Sequence, residues 1–511
     1  MLLVSGCTTS SPEKTAAVQN GTTLSGTTGP QNVTALIPQF HTYAEQTFNR
    51  SGVPGMAVAI VQNDSVVYMR CFGVTNTTTK EPVTPDTRFQ LASISKSFTT
   101  ATIASMVGDG ELSWDTKVAT ITPDFRLSDP WVSQHVTFRD LLSHRTGLPE
   151  YAGDDLQDLG YNRSEILGRL RYVNLTGDYR SSYAYTNIGF TAAADAAAHR
   201  AGTPWEDLVT ERVFVPAGMN NTSARFADFV AAKNHADTYK VFNGTATASE
   251  LMNDDVNSPA GSVSSTINDM TRYARLQLND GSLDGKQLID PTALAETHKV
   301  QNVIHSDNTG VSGYGLGWQV SAKNSGTRVW HDGEFETGAS TDLILYPNEK
   351  MEVIILSNGF PGGYSLNKAL LHGWDDLYST GAVRNDWYAV IEPQILAALQ
   401  PGASTMSPTT ELPAAPANAK PARSPATYSG SYTQDYIGTV RIDTNSTGLL
   451  AYAGKSTTPI ILVPYNGDTF RDITSNTGVI FTVGKDGTVT NVRFSQFDLP
   501  GRNGTFIRSS P

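Results

Sequence analysis

Two groups of strand-like segments lie at opposite ends of one long stretch of chain, with a helical pattern between them. Residues 55–61 and 66–73 are rich in apolar and β-branched residues and flank a short polar turn, which predicts a β-hairpin. Residues 340–346 and 352–357 form a second such pair. Residues 110–270 are mostly helical in pattern. The sequence therefore predicts an α/β fold in which one sheet takes strands from both ends and carries an all-α subdomain.

A second domain is predicted beyond a linker. Residues 401–425 are rich in Pro, Ala, Ser and Thr, a composition typical of an extended linker. From residue 426 to residue 511, short β-rich runs alternate with turns such as Lys485-Asp486-Gly487. This pattern predicts a small all-β barrel or sandwich.

A Ser-x-x-Lys motif, Ser93 to Lys96, lies at the start of a predicted helix. The spacing of three makes the two side chains neighbours on the helix surface. A serine hydroxyl becomes a good nucleophile when a base takes its proton, and a partly desolvated lysine is neutral often enough to be that base. The motif is weak by itself, and a solvated lysine in the first helical turn is the alternative interpretation.

Two further motifs follow in chain order and carry polar groups that such chemistry needs. Tyr185-x-Asn187 precedes an alanine-rich helix, and its phenol can relay a proton while its amide binds a substrate carbonyl. A buried tyrosine followed by a capping asparagine is the alternative. His331-x-Gly333 ends a predicted strand, where glycine allows a ligand backbone to approach closely. An ordinary strand-end turn has the same pattern.

The order Ser-x-x-Lys, Tyr-x-Asn and His-x-Gly resembles the serine β-lactamase and penicillin-binding-protein superfamily. Within it, the chain is most similar to the class C β-lactamase branch with its esterase and D-amino-acid peptidase relatives, the serine peptidase S12 group. The resemblance covers residues 35–380 and implies a β-lactamase-like antiparallel sheet flanked by helices, plus the all-α subdomain. The C-terminal segment resembles the lipocalin-like domain of some archaeal and bacterial members. The implied domains are a lipoprotein-like signal remnant and disordered tether (1–32), a serine hydrolase domain (33–400), the linker (401–425) and a lipocalin-like barrel (426–511).

The resemblance gives the motif residues catalytic roles. Ser93 is the nucleophile that becomes acylated, and Lys96 assists its deprotonation. Tyr185 is the general base and then the general acid to the leaving group. Water finally attacks the acyl-enzyme. The resemblance thus implies a serine hydrolase that acts on small peptide, ester or amide substrates and uses no cofactor.

Four further positions are implied to bind the substrate. Asn187 contacts the substrate amide, and His331 and Gly333 line the strand side of the site. The backbone N–H groups of Ser93 and Glu334 are the implied oxyanion donors.

Two departures from the family pattern affect the substrate side. His331 stands where many members have a lysine, and a neutral imidazole is a weaker partner for a substrate carboxylate than an ammonium. This argues against efficient β-lactam hydrolysis and favours esterase or peptidase activity. The segment 333–338 has one residue more than the family pattern, which puts the role of Glu334 in doubt. We hypothesise that the two carboxylates of this segment, Glu334 and Glu336, favour amine-bearing substrates.

Two alternatives to a peptidase or esterase follow from the same motifs. One is a true β-lactamase or D-Ala-D-Ala carboxypeptidase. The other is a penicillin-recognising surface protein without catalysis, against which the complete set of Ser93, Lys96 and Tyr185 argues.

Composition disfavours other classes of function. The formal net charge of −12 at pH 7 makes a nucleic acid an unexpected partner. The histidines are scattered and no His-Glu-x-x-His motif is present, which disfavours a zinc enzyme. No metal site is therefore expected.

The N-terminal residues predict export. The run Leu-Val-Ser-Gly-Cys ending at Cys7 resembles the end of a lipoprotein signal, in which the cysteine carries the lipid, although the match is short enough to be accidental. The polar tether that follows, to Asn32, suits a surface anchor. We expect an extracytoplasmic protein, either lipid-anchored at the cell surface through Cys7 or secreted.

Overall fold

The computed structural model describes residues 32–324, 326–399, 411–445 and 448–509. The predicted tether with Cys7 and linker residues 401–410 lie outside them. No helix in the described part of the chain is long and apolar enough to cross a membrane. The described residues also contain no group of three or more His, Cys, Asp or Glu side chains that could hold a metal ion.

The helices of the main domain are α1 Val33–Ser51, α2 Ser95–Gly108, α3 Pro130–His135, α4 Phe138–Leu142, α5 Asp154–Asp158, α6 Arg163–Arg169, α7 Asn187–Ala201, α8 Trp205–Val209, α9 Phe226–Ala231, α10 Ser258–Gly261, α11 Ile267–Leu278, α12 Pro291–Thr297, α13 Gly362–Thr380 and α14 Trp387–Ala398. A short 3-10 turn, Ala92–Ile94, leads directly into α2. Helices α3 to α10 make up the helical subdomain.

The strands of the main domain are β1 Gly55–Gln62, β2 Ser65–Gly73, β3 Arg88–Gln90, β4 Tyr239–Phe242, β5 Thr245–Ala248, β6 Ser264–Thr266, β7 Ser282–Leu283, β8 Lys286–Gln287, β9 Asn302–Asp307, β10 Gly310–Tyr314, β11 Gln319–Lys323, β12 Gly326–Phe335, β13 Ala339–Tyr346, β14 Met351–Ser357 and β15 Gly359–Pro361. Eight of them form an antiparallel sheet in the order β2-β1-β14-β13-β12-β11-β10-β9. The α/β prediction is confirmed, since β1 pairs directly with β14 from the far end of the domain. The helical subdomain also carries the small β4–β5 hairpin.

The predicted hairpin is β1 and β2, joined by Asn63 and Asp64, which both have positive φ. A two-residue turn of this hand matches the twist of the flanking strands. Strands β1 and β14 are buried along almost their whole length, which explains why each is a near-continuous apolar run.

The sheet separates two hydrophobic layers. Met56 and Val58 of β1 pack with α1, α13 and α14, whereas Ala57 and Ala59 belong to the core on the other face, with α2 and α11. This alternation follows from the two-residue period of a strand. Because helix α2 is buried from Ser95 to Met106, its hydroxyl side chains are enclosed, and several donate to main-chain carbonyls of the preceding turn.

The C-terminal domain is a closed antiparallel barrel of strands β16 Gly430–Gln434, β17 Gly438–Asn445, β18 Gly448–Ala453, β19 Ile460–Asn466, β20 Thr469–Asp472, β21 Gly478–Val483, β22 Val489–Phe494 and β23 Thr505–Arg508. Strand β23 pairs with β16 and closes it. The barrel packs on the helical subdomain, where Tyr161 OH donates to Ile437 O at 2.5 Å. Residues on both sides of this contact belong to one continuous apolar core.

Candidate active site

Ser93 lies in the middle of the 3-10 turn before α2 and is only 7% exposed. Ala92 immediately before it has φ +47°, a left-handed conformation that costs a non-glycine residue about 1–2 kcal/mol. Backbone strain of this kind is concentrated at functional sites. The strained turn presents the Ser93 hydroxyl to two other polar side chains, one from α2 and one from the segment before α7.

Lys96 is the first of these, one helical turn on. Its Nζ lies 3.0 Å from Ser93 Oγ, 2.7 Å from Asn187 Oδ1 and 3.0 Å from Ala260 O. Burial lowers the pKa of Lys96 from 10.5 to about 7, although the carboxylates of Asp254 and Asp154 act in the opposite direction. A substantial fraction of Lys96 is therefore neutral at neutral pH.

The three contacts of Lys96 determine what its neutral form can do. The oxygens of Asn187 and Ala260 can only accept, so they occupy two N–H groups of the amine. The remaining position faces Ser93 Oγ. In the neutral amine that position is a lone pair, so Lys96 is oriented as a base towards the serine.

Tyr185 is the second group at the hydroxyl. Its OH donates to Ser93 Oγ at 3.0 Å, and Lys96 Nζ lies 4.7 Å from the centre of its ring. Burial, the largest cause, raises the pKa of Tyr185 well above 10. The free protein therefore holds a neutral phenol beside Ser93, a proton donor rather than a tyrosinate.

Asn187, the first residue of α7, is held with a defined amide orientation. Its Oδ1 accepts from Lys96, and its Nδ2 donates to Asp154 Oδ2 at 2.7 Å. Burial raises the pKa of Asp154 to about 7. Asp154 therefore fixes the acceptor side of Asn187 towards the base, a role that the sequence pattern did not indicate.

His144 is a second residue that the motifs missed. Thr186 N, between the two motif residues Tyr185 and Asn187, donates to His144 Nδ1 at 3.0 Å, so that the hydrogen is on Nε2. The ring packs 4.5 Å from the ring of Tyr185 and 4.5 Å from that of Tyr314. Burial, the largest cause, lowers the pKa of His144 well below 6.5. A neutral imidazole therefore supports the segment that carries the phenol and the amide.

Strand β12 passes directly beside the nucleophile. A Cβ at Gly333 would overlap Leu91 O and lie 2.9 Å from Ser93 N, so only glycine fits there without a shift. His331, two residues earlier on the same face, uses both ring nitrogens within the protein. Its Nδ1 donates to Asp332 O at 2.6 Å, and its Nε2 accepts from Tyr314 OH at 2.8 Å. Burial, with a further contribution from the nearby lysine, lowers the pKa of His331 to about 4.

The side chain of Glu334 lies on the opposite face of the sheet. Strand alternation places it with Asp332, which pairs across the strands with Asp342, and Lys368 donates to both aspartates. Burial, with a further contribution from Asp332, raises the pKa of Glu334 well above its usual value. Glu334 therefore lies beside the site with its main chain only, because its carboxyl is on the other face of the sheet. Glu336 is exposed at the surface.

The predicted site residues thus occupy two sets of positions. Ser93, Lys96, Tyr185 and Asn187 meet in one buried cluster. His331 and Gly333 lie along the strand beside it, and Glu334 turns its carboxyl away.

A family model described as Beta-lactamase matches residues 35–372. The chain belongs to the beta-lactamase family. The unguisins hydrolase ungD′ of Aspergillus campestris is 27% identical to it over 485 residues, which cover 89% of each chain. The D-aminopeptidase of Brucella anthropi is 32% identical over 174 residues, 32% of each chain. The octameric penicillin-binding protein homologue from Pyrococcus abyssi shares the fold, with a TM-score of 0.58 at 16% identity over 92% of this chain and 100% of that chain.

Membership of the beta-lactamase family confirms the resemblance seen in the motifs and makes the protein a serine hydrolase. The match covers the sheet and the helical subdomain and ends within α13, before the barrel. The unguisins hydrolase aligns along most of the chain, whereas the D-aminopeptidase aligns over a third of it.

Proposed function

We propose that the protein cleaves amide or ester bonds of small peptides through an acyl-enzyme on Ser93. The observation that carries this proposal is the convergence of Lys96 Nζ and Tyr185 OH on one hydroxyl, each 3.0 Å from Ser93 Oγ. Groups at hydrogen-bond distance can transfer protons during the reaction. The D-aminopeptidase among the relatives supports a peptide-type substrate.

The geometry supports acylation with Lys96 as the base. Neutral Lys96 takes the Ser93 proton as Oγ attacks the substrate carbonyl carbon, and the carbonyl electrons move onto oxygen. The N–H groups of Ser93 and Glu334 are the proposed donors to that oxyanion. The uncharged phenol of Tyr185 stabilises the same hydroxyl without competing for its proton.

Breakdown of the tetrahedral intermediate then needs an acid. The bond to the leaving amine or alcohol breaks, and Tyr185 donates its proton to that group while the Lys96 ammonium replenishes the phenol. Water next attacks the acyl carbon, and its proton passes to Lys96. The carboxylic acid product leaves, and Ser93 regains its proton.

The strand side supports a substrate without a carboxylate at that position. His331 is neutral and engages both nitrogens internally, so it offers no cation to a substrate carboxylate. Lys368 lies on the other face of the sheet with Asp332 and Asp342. This arrangement favours aminopeptidase-like or esterase-like specificity over β-lactam or D-Ala-D-Ala recognition.

Labelling with a fluorophosphonate probe tests the nucleophile. We expect labelling of the wild-type protein, none of Ser93→Ala, and unchanged labelling of Ser105→Ala, a matched change in the helix that follows Ser93. Labelled Ser93→Ala would contradict the assignment. The turnover of D- and L-aminoacyl amides, neutral esters and nitrocefin then measures the substrate specificity. Faster turnover of nitrocefin than of all the others would favour the β-lactamase alternative.

We further propose that the protein is extracytoplasmic and anchored through Cys7. The lipoprotein-like run and the polar tether support this placement. Detergent-phase partitioning of the expressed protein, compared with Cys7→Ser, tests it. Equal partitioning of the two proteins into the aqueous phase would count against the anchor.

A further inference from the structure

One loop of the barrel, residues 498–504, which we call the barrel loop, contacts the catalytic domain. Gly501 O accepts from Asn174 N at 2.8 Å, and Gly501 has φ +71°. A Cβ at Gly501 would overlap Asn174 O, so glycine permits this close approach. The next residue, Arg502, is buried there, with 4% of its side chain exposed.

Arg502 and a second barrel residue converge on the start of helix α5. Arg502 Nη1 lies 3.0 Å from Asp155 Oδ1 and 3.5 Å from Tyr151 O. Tyr436 OH donates to the same Asp155 oxygen at 2.5 Å and accepts from Gly153 N at 3.2 Å. The barrel therefore holds both the carboxyl and the backbone of segment 151–155. A buried, charge-assisted contact of this kind constrains geometry more than an exposed ion pair does.

Two short routes lead from that segment to the reacting groups. Tyr151 N donates to Tyr185 O at 2.9 Å, so the residue whose carbonyl Arg502 contacts is bonded to the residue that carries the phenol. Asp154, the neighbour of Asp155, accepts from Asn187 Nδ2 at 2.7 Å, and Asn187 Oδ1 accepts from Lys96. Each route contains only one residue or one pair between the barrel contact and the catalytic cluster.

We propose that Arg502 is a positioning residue for catalysis: by holding segment 151–155 from the barrel, it fixes Tyr185 and the amide orientation of Asn187 at Lys96. The inference rests on the proposed acyl-enzyme function. It assigns the barrel a part in the reaction, since the catalytic geometry depends on a side chain more than 400 residues along the chain from the nucleophile.

The role has a consequence for the pH dependence that a purely structural role lacks. If Arg502 is lost and the Asn187 amide turns, the ammonium form of Lys96 loses an acceptor. The pKa of Lys96 then falls further, and the acidic limb of kcat/KM moves to lower pH by about one unit. The other titratable groups around Lys96 are common to both proteins and are Asp154, Asp254, Glu334, Asp332, His144, His331 and Tyr185.

The experiment compares full-length Arg502→Ala, Arg502→Lys and the matched control Lys455→Ala. Lys455 makes another barrel ion pair at this interface, to Glu165 at 2.6 Å, and Glu165 lies in α6, outside the catalytic motifs. We expect Arg502→Ala to lower kcat between about 10- and 100-fold and to shift the limb. Arg502→Lys should recover part of kcat, and Lys455→Ala should match the wild type in both readouts.

Three outcomes overturn the inference. In the first, Arg502→Ala has the kcat and the acidic limb of the wild type. In the second, Arg502→Ala and Lys455→Ala lose the same fraction of kcat. In the third, folded Arg502→Ala has a lower kcat but its acidic limb does not move. Thermal melting identifies variants that fail to fold, for which Tyr436→Phe, which removes only one hydroxyl, replaces Arg502→Ala. A wild-type protein without Ser93 labelling would instead refute the proposed function, so the two failures are distinguishable.

Discussion

At the scale of single residues, Lys96 sets the pH at which the site becomes active in the proposed mechanism. Its pKa of about 7 means that the amine is protonated, and lacks a lone pair, below that pH. We predict that kcat/KM for a neutral ester rises with pH through about 7 and then levels. Lys96→Arg keeps the positive charge but cannot be deprotonated, so it should lose about 10²–10⁴-fold at every pH. A pH–rate profile with its only rise near pH 10 would contradict this.

Two substitutions at Asp154 separate the effect of its charge on the pKa of Lys96 from its effect on the orientation of the Asn187 amide. Asp154→Asn keeps an oxygen for Asn187 Nδ2 but removes a carboxylate that raises the pKa of Lys96. We predict a plateau rate close to the wild type, with the acidic limb moved to lower pH. Asp154→Ala also releases the amide and should lower the plateau by about tenfold or more. Identical pH profiles for the two variants would show that the amide orientation does not matter.

Sequence motifs indicate the four side chains that meet at the candidate site, whereas the groups that hold those side chains in place belong to no local motif. Ser93, Lys96, Tyr185 and Asn187 were predicted because each belongs to a local motif of fixed spacing. Asp154 belongs to no such motif, since its role arises when α5 packs beside the start of α7. The same holds for Ala260, whose part is played by a backbone carbonyl and is independent of residue type.

At the scale of elements, the contact between β12 and the turn before α2 sets the shape of the site. We predict that Gly333→Ala lowers stability by about 1–3 kcal/mol, because its methyl group forces the strand and the turn at Leu91 apart. The same shift moves Ser93 N and should lower kcat by about 100-fold.

Gly168→Ala is the matched control for this strand variant. It lies in helix α6 and a Cβ there meets nothing within 4 Å, so alanine should be neutral or stabilising. Chemical denaturation and steady-state kinetics measure both effects. Gly333→Ala with wild-type stability and rate would show that the turn adapts without cost.

Elements with strong apolar runs were predicted, and weakly patterned ones were missed. Strands β1 and β14 are buried on both faces and have continuous apolar sequences. Strand β9 at the sheet edge is mostly exposed, so its sequence carries little burial signal. Strand β23 has only four residues and is defined by its pairing with β16 and β22, which no local pattern reveals.

At the scale of the whole molecule, the barrel and the main domain share one hydrophobic core. Leu159 and Tyr161 of the helical subdomain belong to the same buried cluster as Tyr436 and Ile437 of the barrel. Polar contacts cross the same interface, among them the backbone bond from Lys455 N to Leu159 O at 2.9 Å. Separating the domains would therefore expose apolar side chains on both.

This shared core predicts cooperative unfolding of the two domains. In scanning calorimetry, the barrel and the main domain should melt in one transition whose van't Hoff and calorimetric enthalpies agree, because neither domain keeps its full core alone. Tyr161→Ala removes a buried ring and its hydrogen bond to Ile437 O, and should lower stability by about 3–5 kcal/mol. It should also begin to separate the transitions, since the loss falls on the interface. Two resolved transitions in the wild-type protein would mean that the barrel folds independently. The contacts of Arg502 and Tyr436 with segment 151–155 could then break without unfolding the catalytic domain.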